Sequence, residues 1–181
     1  MNETKRQIAE TFERRMIEDG YSQTTLDAIA RELHISKKTI YVHFQDKRDI
    51  YACIVKDQAA RDKARIAAAV ADRPGPSAQT TAVLSMVLEA ARSHIQATDR
   101  EEWLREYDVA AEAFTQAYGE LLAELFEAGV ATGEFSPGDP AFVTRMVSAM
   151  LLDYVVALRD DPTLDFDEQL VERIMMFLGR K

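Results

Sequence analysis

An all-α fold is predicted by three observations on this 181-residue chain. Apolar side chains recur at helical spacing from Ile8 to Leu178, no stretch shows the period-two alternation of a strand, and glycine or proline stands at several of the breaks between apolar runs. The expected layout is a short N-terminal three-helix unit followed by a larger helical part, about nine helices in all.

The first helix is expected from about Lys5 to Asp19, because Ile8, Ala9, Phe12 and Met16 recur at helical spacing and Gly20 stands at a stop position. Two short helices follow. Thr24 is read as the cap of the first of these, with Asp27 as a capping-box acid three residues on and Leu26, Ile29, Ala30 and Leu33 as its apolar side. His34 and Ile35 make the corner, Ser36 caps the next helix, and Ile40 and Phe44, four apart, face inward. Lys37, Lys38, Thr39, Tyr41, Val42 and His43 are then left facing outward.

Ile50, Ile54 and the Ala-rich run to Val70 predict a longer fourth helix. It ends before Arg73-Pro74-Gly75-Pro76, since neither proline nor glycine continues a helix, and that break is read as the boundary along the chain. Beyond it helices are expected over Ser77–Gln96, around Glu101–Tyr107, onward to about Ala131, over Ala141–Leu158 and over Phe166–Gly179. Gly133 follows the third of these, and Asp139-Pro140 opens the fourth as a cap followed by a first-turn proline.

A major groove admits one helix, and a helix that reads it needs donors for base edges and phosphates. Lys37, Lys38 and Thr39 occupy the first turn of the third helix, Tyr41 and His43 can reach phosphates on either wall, and Lys47 opens the next helix. At these positions the chain resembles the TetR family of transcriptional regulators. The shared pattern runs through Gly20, Tyr21, Thr24, Thr25, Ile29, Ala30, Ser36, Tyr41, His43, Phe44 and Lys47 and covers roughly residues 5–52. The resemblance implies phosphate contacts for Thr25, Tyr41, His43 and Lys47 and places Lys37, Lys38 and Thr39 near base edges. The expected DNA-binding set is thus Thr24, Thr25, Ser36, Lys37, Lys38, Thr39, Tyr41, Val42, His43 and Lys47. Two departures stand out: family members often carry Gly where His34 and Lys38 sit, so His34 is expected to hold a left-handed backbone.

Charge supports the same division. The total of 22 basic against 31 acidic residues gives −9, yet residues 1–63 hold 12 basic against 11 acidic and residues 64–181 hold 10 against 20. From Arg31 to Lys56, six basic residues meet three acidic ones, a local net of +3. A DNA-binding part needs such a local surface more than a basic total. The DNA-binding domain is accordingly drawn as 1–50 and a helical effector-binding and dimerisation domain as 51–181, with the fourth helix counted in the latter.

The helix over Ala141–Leu158 carries apolar groups on nearly all sides, and the last helix repeats this more weakly. A homodimer through both is expected, using Met146, Met150, Tyr154, Leu158, Leu170, Ile174 and Phe177, and it would present two reading helices to a palindromic operator in double-stranded DNA. The TetR resemblance implies the same four-helix interface. An effector pocket is expected from Met86, His94, Trp103, Tyr107, Phe114 and Tyr118, with Asp153 as a buried carboxylate that needs a partner such as Arg92, Arg105 or Arg145. Those residues suit a hydrophobic or cationic aromatic compound.

The expected function is a ligand-responsive repressor. The alternative is a helical DNA-binding regulator without a small-molecule effector, controlled by a protein partner or acting architecturally. An enzyme is not expected: there is no GxSxG, GxGxxG or phosphate-loop pattern, and His34, His43 and His94 lie at no metal-ligand spacing. No metal, cofactor or catalytic residue is assigned. The longest uncharged run, Pro74 to Leu88, is unsuited to a bilayer, and the lone Cys53 agrees with a reducing compartment, so a cytoplasmic protein with no membrane partner is expected.

Overall fold

The computed structural model describes the backbone of residues 2–97 and 100–179 and the side chains of residues 2–95 and 107–179. Among the described residues the chain is helical throughout: α1 (Glu3–Asp19), α2 (Leu26–Glu32), α3 (Lys37–His43), α4 (Lys47–Val70), α5 (Gly75–Ala97), α6 (Arg100–Thr132), α7 (Pro140–Asp160) and α8 (Asp167–Phe177). The two segments expected around Glu101–Tyr107 and on to Ala131 form the single 33-residue α6. No glycine or proline lies between them, so nothing interrupts the hydrogen-bond ladder there.

The contacts divide the chain into two units: residues up to Gln58 with Glu106–Ala113, and Ala59–Arg105 with the residues from Phe114 on. In the first unit α1 lies over the α2–α3 pair, and Ile8, Phe12, Ile29, Ile40 and Ile50 are fully buried. Each such side chain adds about 1.5–3 kcal/mol through removal from water. α1 closes at Gly20, whose φ of 85° a residue with a Cβ rarely adopts, and its amide donates to Met16 O at 2.9 Å. The cap of α2 is Thr25, which accepts from Ala28 N at 3.2 Å.

Thr24, expected as that cap, is buried instead, and its hydroxyl donates to Gly20 O at 3.0 Å. The shift by one residue follows from the turn. Only a residue still in the extended conformation can cap, and Thr25, with ψ 149°, is the last such residue before α2.

The core of the second unit combines Ile66 and Val70 of α4, Val83, Leu84 and Leu88 of α5, Leu121, Leu122 and Phe126 of α6, Val147, Leu151, Tyr154 and Leu158 of α7, and Val171, Ile174, Met175 and Leu178 of α8. Asp139 accepts from Phe142 N at 2.8 Å and Pro140 sits in the first turn, which starts α7 as its sequence suggests. Gly129 marks a close approach, because a Cβ there would lie 2.1 Å from the Phe135 ring. By length and composition α7 could also cross a membrane, with a mean hydropathy of 1.6, yet its Val147–Leu158 stripe packs in this core.

Tyr154, Leu158 and Ile174, expected at a dimer interface, belong to this core instead, at 9%, 1% and 0% exposure. Met146, Met150 and Leu170 are half-buried, and Phe177 stays exposed. A helix that is apolar all round does not reveal which stripe its own subunit covers, and the packing of α5 and α6 decides that. The large apolar groups left outside are Phe142, Phe166, Met176 and Phe177.

Candidate nucleic-acid interface

The corner between α2 and α3 is built by backbone geometry. Ile35 N donates to Ala30 O at 3.0 Å and His34 N to Arg31 O at 3.3 Å, the paired bonds that close a helix when the residue after the cap is left-handed. His34 has φ 52°, the sole positive value on a non-glycine among the described residues. Ser36 then caps α3, accepting from Thr39 N at 3.1 Å, and its hydroxyl meets the Thr39 hydroxyl at 2.8 Å. α4 opens on a reciprocal pair of aspartates: Asp46 accepts from Asp49 N at 2.8 Å while Asp49 accepts from Gln45 N at 2.9 Å. Together these caps hold a seven-residue helix that would be too short to persist alone.

Ile40 and Phe44 anchor the inner side of α3 at 0% and 2% exposure, with the Lys5 ammonium over the Phe44 ring at 4.9 Å. The opposite side carries Lys38, Tyr41 and Val42, all exposed, flanked by Thr39 and His43, which are half-buried. Thr25 and Ser36 are exposed at the two caps, so one edge of the unit gathers hydroxyls, a phenol, an imidazole and ammonium groups.

Three members of the expected set play a different part. Thr24 is buried and bonded within the turn before α2. Lys47 does not project outward: its ammonium donates to the carbonyls of Tyr21 and Ser22 and lies 4.1 Å from the Tyr21 ring centroid. That ring sits edge-on to Phe12 and Tyr51, so Lys47 ties the α1–α2 turn to the head of α4. Lys37 is exposed but pairs with Asp27 at 2.8 Å, and this bond raises the lysine above its ordinary value. No described residue pairs with Lys38. The sequence assigned the two lysines one role because spacing alone does not show which of them meets α2.

Of the expected effector residues, only Phe114 and Tyr118 meet among the described residues. Met86 packs half-buried against the core of the second unit, and Phe114 and Tyr118 lie ring to ring at 5.6 Å. Burial, with the charge of Asp62, pushes the Tyr118 hydroxyl up to about 12. Tyr107 is half-buried and groups with the first unit, whereas His94 is exposed and the Trp103 side chain lies outside the described residues. Asp153, expected to be buried, is exposed, because it falls off the Val147–Leu151–Tyr154–Leu158 stripe that α7 turns inward.

Two cavities lie elsewhere in the second unit. An enclosed one of about 10 Å3 is lined by Thr80, Leu122, Phe126, Val143, Thr144, Val147, Ile174 and Leu178. An open groove of about 430 Å3 runs between α5 and α8, lined by Thr81, Ser85, Glu168, Val171, Glu172, Met175 and Met176. Neither touches the seven expected residues. Thr80 and Thr144, whose buried hydroxyls have no partner among the described residues, carry no periodicity that could have marked them.

Residues 12–54, from the middle of α1 into α4, match the family model of bacterial regulatory proteins, tetR family. That segment carries the tetR-family pattern. Over 39 residues the chain is 49% identical to IcaR of Staphylococcus aureus strain Newman, the negative transcriptional regulator of a biofilm operon. That match covers 22% of this chain and 21% of IcaR, so the chain spans about a fifth of the length of the curated relatives it matches. Solved structures extend the likeness of fold over the whole chain. RolR in complex with resorcinol superposes with a TM-score of 0.77 at 15% identity, covering 98% of this chain and 88% of RolR. The transcriptional regulator FadR from Bacillus subtilis in complex with stearoyl-CoA gives 0.64 at 18% identity, over 93% of this chain and 96% of FadR. At such identities these structures speak for the fold alone.

Proposed function

We propose that the chain is a DNA-binding transcriptional repressor that acts as a homodimer on a palindromic operator in the cytoplasm and is released by a small-molecule effector. The observation that carries this is the outer side of α3. Its Lys38, Tyr41 and Val42 are exposed opposite the buried Ile40 and Phe44, on a helix capped at both neighbours. Phosphate contacts from Thr25, Tyr41 and His43 would position such a helix in the major groove and base edges would meet Lys38 and Val42. The DNA-binding part is taken as residues 1–50, and 51–181 as the effector-binding and dimerising part.

Dimerisation through α7 and α8 is supported by what these helices leave uncovered. Only 22% of the most apolar window of α7 is buried within one subunit, and Phe142, Met176 and Phe177 are exposed. A second copy would cover them and set two α3 helices one duplex turn apart, roughly 34–36 Å. An effector acts by preferring one spacing of the paired reading helices over another, and by no more than its differential affinity for the two.

The test is a fluorescence anisotropy titration of the protein against duplexes drawn from the DNA beside its own gene. Nanomolar binding that falls steeply with salt is expected. Binding no tighter to any of these duplexes than to random DNA would refute the proposal.

A second reading, a regulator without a small-molecule effector, is favoured by one observation: of the two cavities described, the more enclosed holds about 10 Å3, room for a single water, and the larger is an open groove. Thermal-shift screening separates the two. An effector at 100 times its Kd stabilises by about 2.7 kcal/mol, and a library of hydrophobic and cationic aromatic compounds without one hit supports the second reading.

A further inference from the structure

Three residue pairs four apart divide the surface of α3. Ile40 and Phe44 point into the first unit, at 0% and 2% exposure. Lys37 and Tyr41 form the ridge beside α2, where the Lys37 ammonium meets Asp27. Lys38 and Val42 form the third ridge, and at 3.6 residues per turn Val42 stands about 180° from the mean direction of Ile40 and Phe44. It is 73% exposed, the highest exposure of any large apolar side chain on α2, α3 or α4.

A valine in this place serves neither the core nor the helix. It buries little area within the subunit, and a β-branched side chain restricts its own rotamers in a short exposed helix where Ala, Lys or Gln would be preferred. What an outward isopropyl group offers is apolar contact. In the major groove the sole apolar group a base presents is the C5-methyl of thymine.

We propose that Val42 reads a thymine in each operator half-site through its C5-methyl group. Lys38, one turn earlier on the same ridge and paired to no described residue, stands over the neighbouring base edge or phosphate. The proposal rests on the DNA-binding function above and adds to it the identity of one base and the residue that reads it.

The experiment uses the full-length protein and an operator taken from a randomised duplex library by repeated selection. Each thymine of the half-site is replaced, in both half-sites together, by deoxyuridine, which deletes the methyl and leaves every hydrogen-bonding group. One pair of replacements is expected to weaken binding by about 4-fold per methyl, about 15-fold for the symmetric pair, as the burial of a methyl-sized group implies. With V42A the thymine-to-uracil ratio at that position falls towards 1, while V42T, which keeps one methyl, holds an intermediate ratio. Circular dichroism should be unchanged in both variants, since residue 42 contributes nothing to the core. Indifference of the wild type to every thymine methyl, or an undiminished ratio in V42A, overturns the assignment of Val42 alone. Failure of the selection to enrich any duplex overturns the DNA-binding function and this assignment with it.

Discussion

Arg92 and Asp167 meet at two points within the second unit, with Nη2 donating to Oδ1 at 2.7 Å and Nε to Oδ2 at 3.3 Å. The same Oδ1 accepts the Tyr154 hydroxyl at 2.6 Å, and that hydroxyl accepts the Phe166 amide at 2.9 Å. Arg92 also donates to the carbonyls of Pro162 and Leu164. One guanidinium thus ties α5, the loop after α7 and the first turn of α8, where a carboxylate is further favoured by the helix dipole. Arg92, one of three arginines expected as candidate partners for Asp153, pairs with Asp167, and Asp153 is exposed.

Arg92→Met should therefore lower stability by about 1–2 kcal/mol, read as a shift in the urea midpoint, because the pair is three-quarters covered and removal leaves two carbonyls and a carboxylate short of a donor. Burial pushes the Asp167 carboxyl up, but the hydrogen bonds of Arg92 and Tyr154 and the charge of Arg92 outweigh it and hold the group below its ordinary value. A depressed carboxylate stabilises the fold above its unfolded value, about pH 4, and that contribution fades as pH falls through the lower folded value. Unfolding below pH 4 should be shallower in Arg92→Met; matching acid limbs in the two proteins would deny the pair this part.

The two threonines before α2 should separate cleanly. Thr25→Ala removes the cap and costs about 1 kcal/mol. Thr24→Val removes a buried donor to Gly20 O and costs a similar amount. Measured on DNA at matched folded fraction, Thr25→Ala should also lose affinity through the phosphate contact proposed for it, whereas Thr24→Val should bind as the wild type does.

His34 occupies a left-handed position that glycine adopts without penalty. His34→Gly should raise the thermal midpoint, with a net gain of about 0.5–1 kcal/mol after the larger unfolded-state entropy of glycine is subtracted. A lower midpoint would mean the imidazole makes a contact that outweighs the backbone strain.

The lysines of α3 should differ in their salt dependence. Lys37 is already offset by Asp27, so Lys37→Ala should change the slope of log K against log salt little. Lys38→Ala should flatten it or relax base preference, with a loss near 1 in slope for each phosphate contact removed.

Phe177→Asp should convert the proposed dimer to a folded monomer in sedimentation experiments, since Phe177 lies exposed on α8. Ile174→Asp, at a fully buried position one turn away, should abolish folding by leaving a charge in the core. A dimer that persists in Phe177→Asp removes the end of α8 from the interface.

Much of the fold was legible in order along the chain because helix starts, stops and inner faces are local matters. Gly20, Ser36, Asp139 and the Ile40–Phe44 spacing each act within about one turn, and the left-handed His34 follows from a corner too short for any other path. The family pattern lies in the same stretch for the same reason. What needed the folded molecule is every question of which partner a side chain chooses among distant ones. Asp27 claims Lys37 and not Lys38, two turn carbonyls claim Lys47, Asp167 claims Arg92, and α5 and α6 claim one stripe of α7, leaving Asp153 and Phe142 outside. Periodicity states that a helix has an apolar face, but the identity of the surface covering it depends on helices tens of residues away, and so does the choice between core, pocket and dimer.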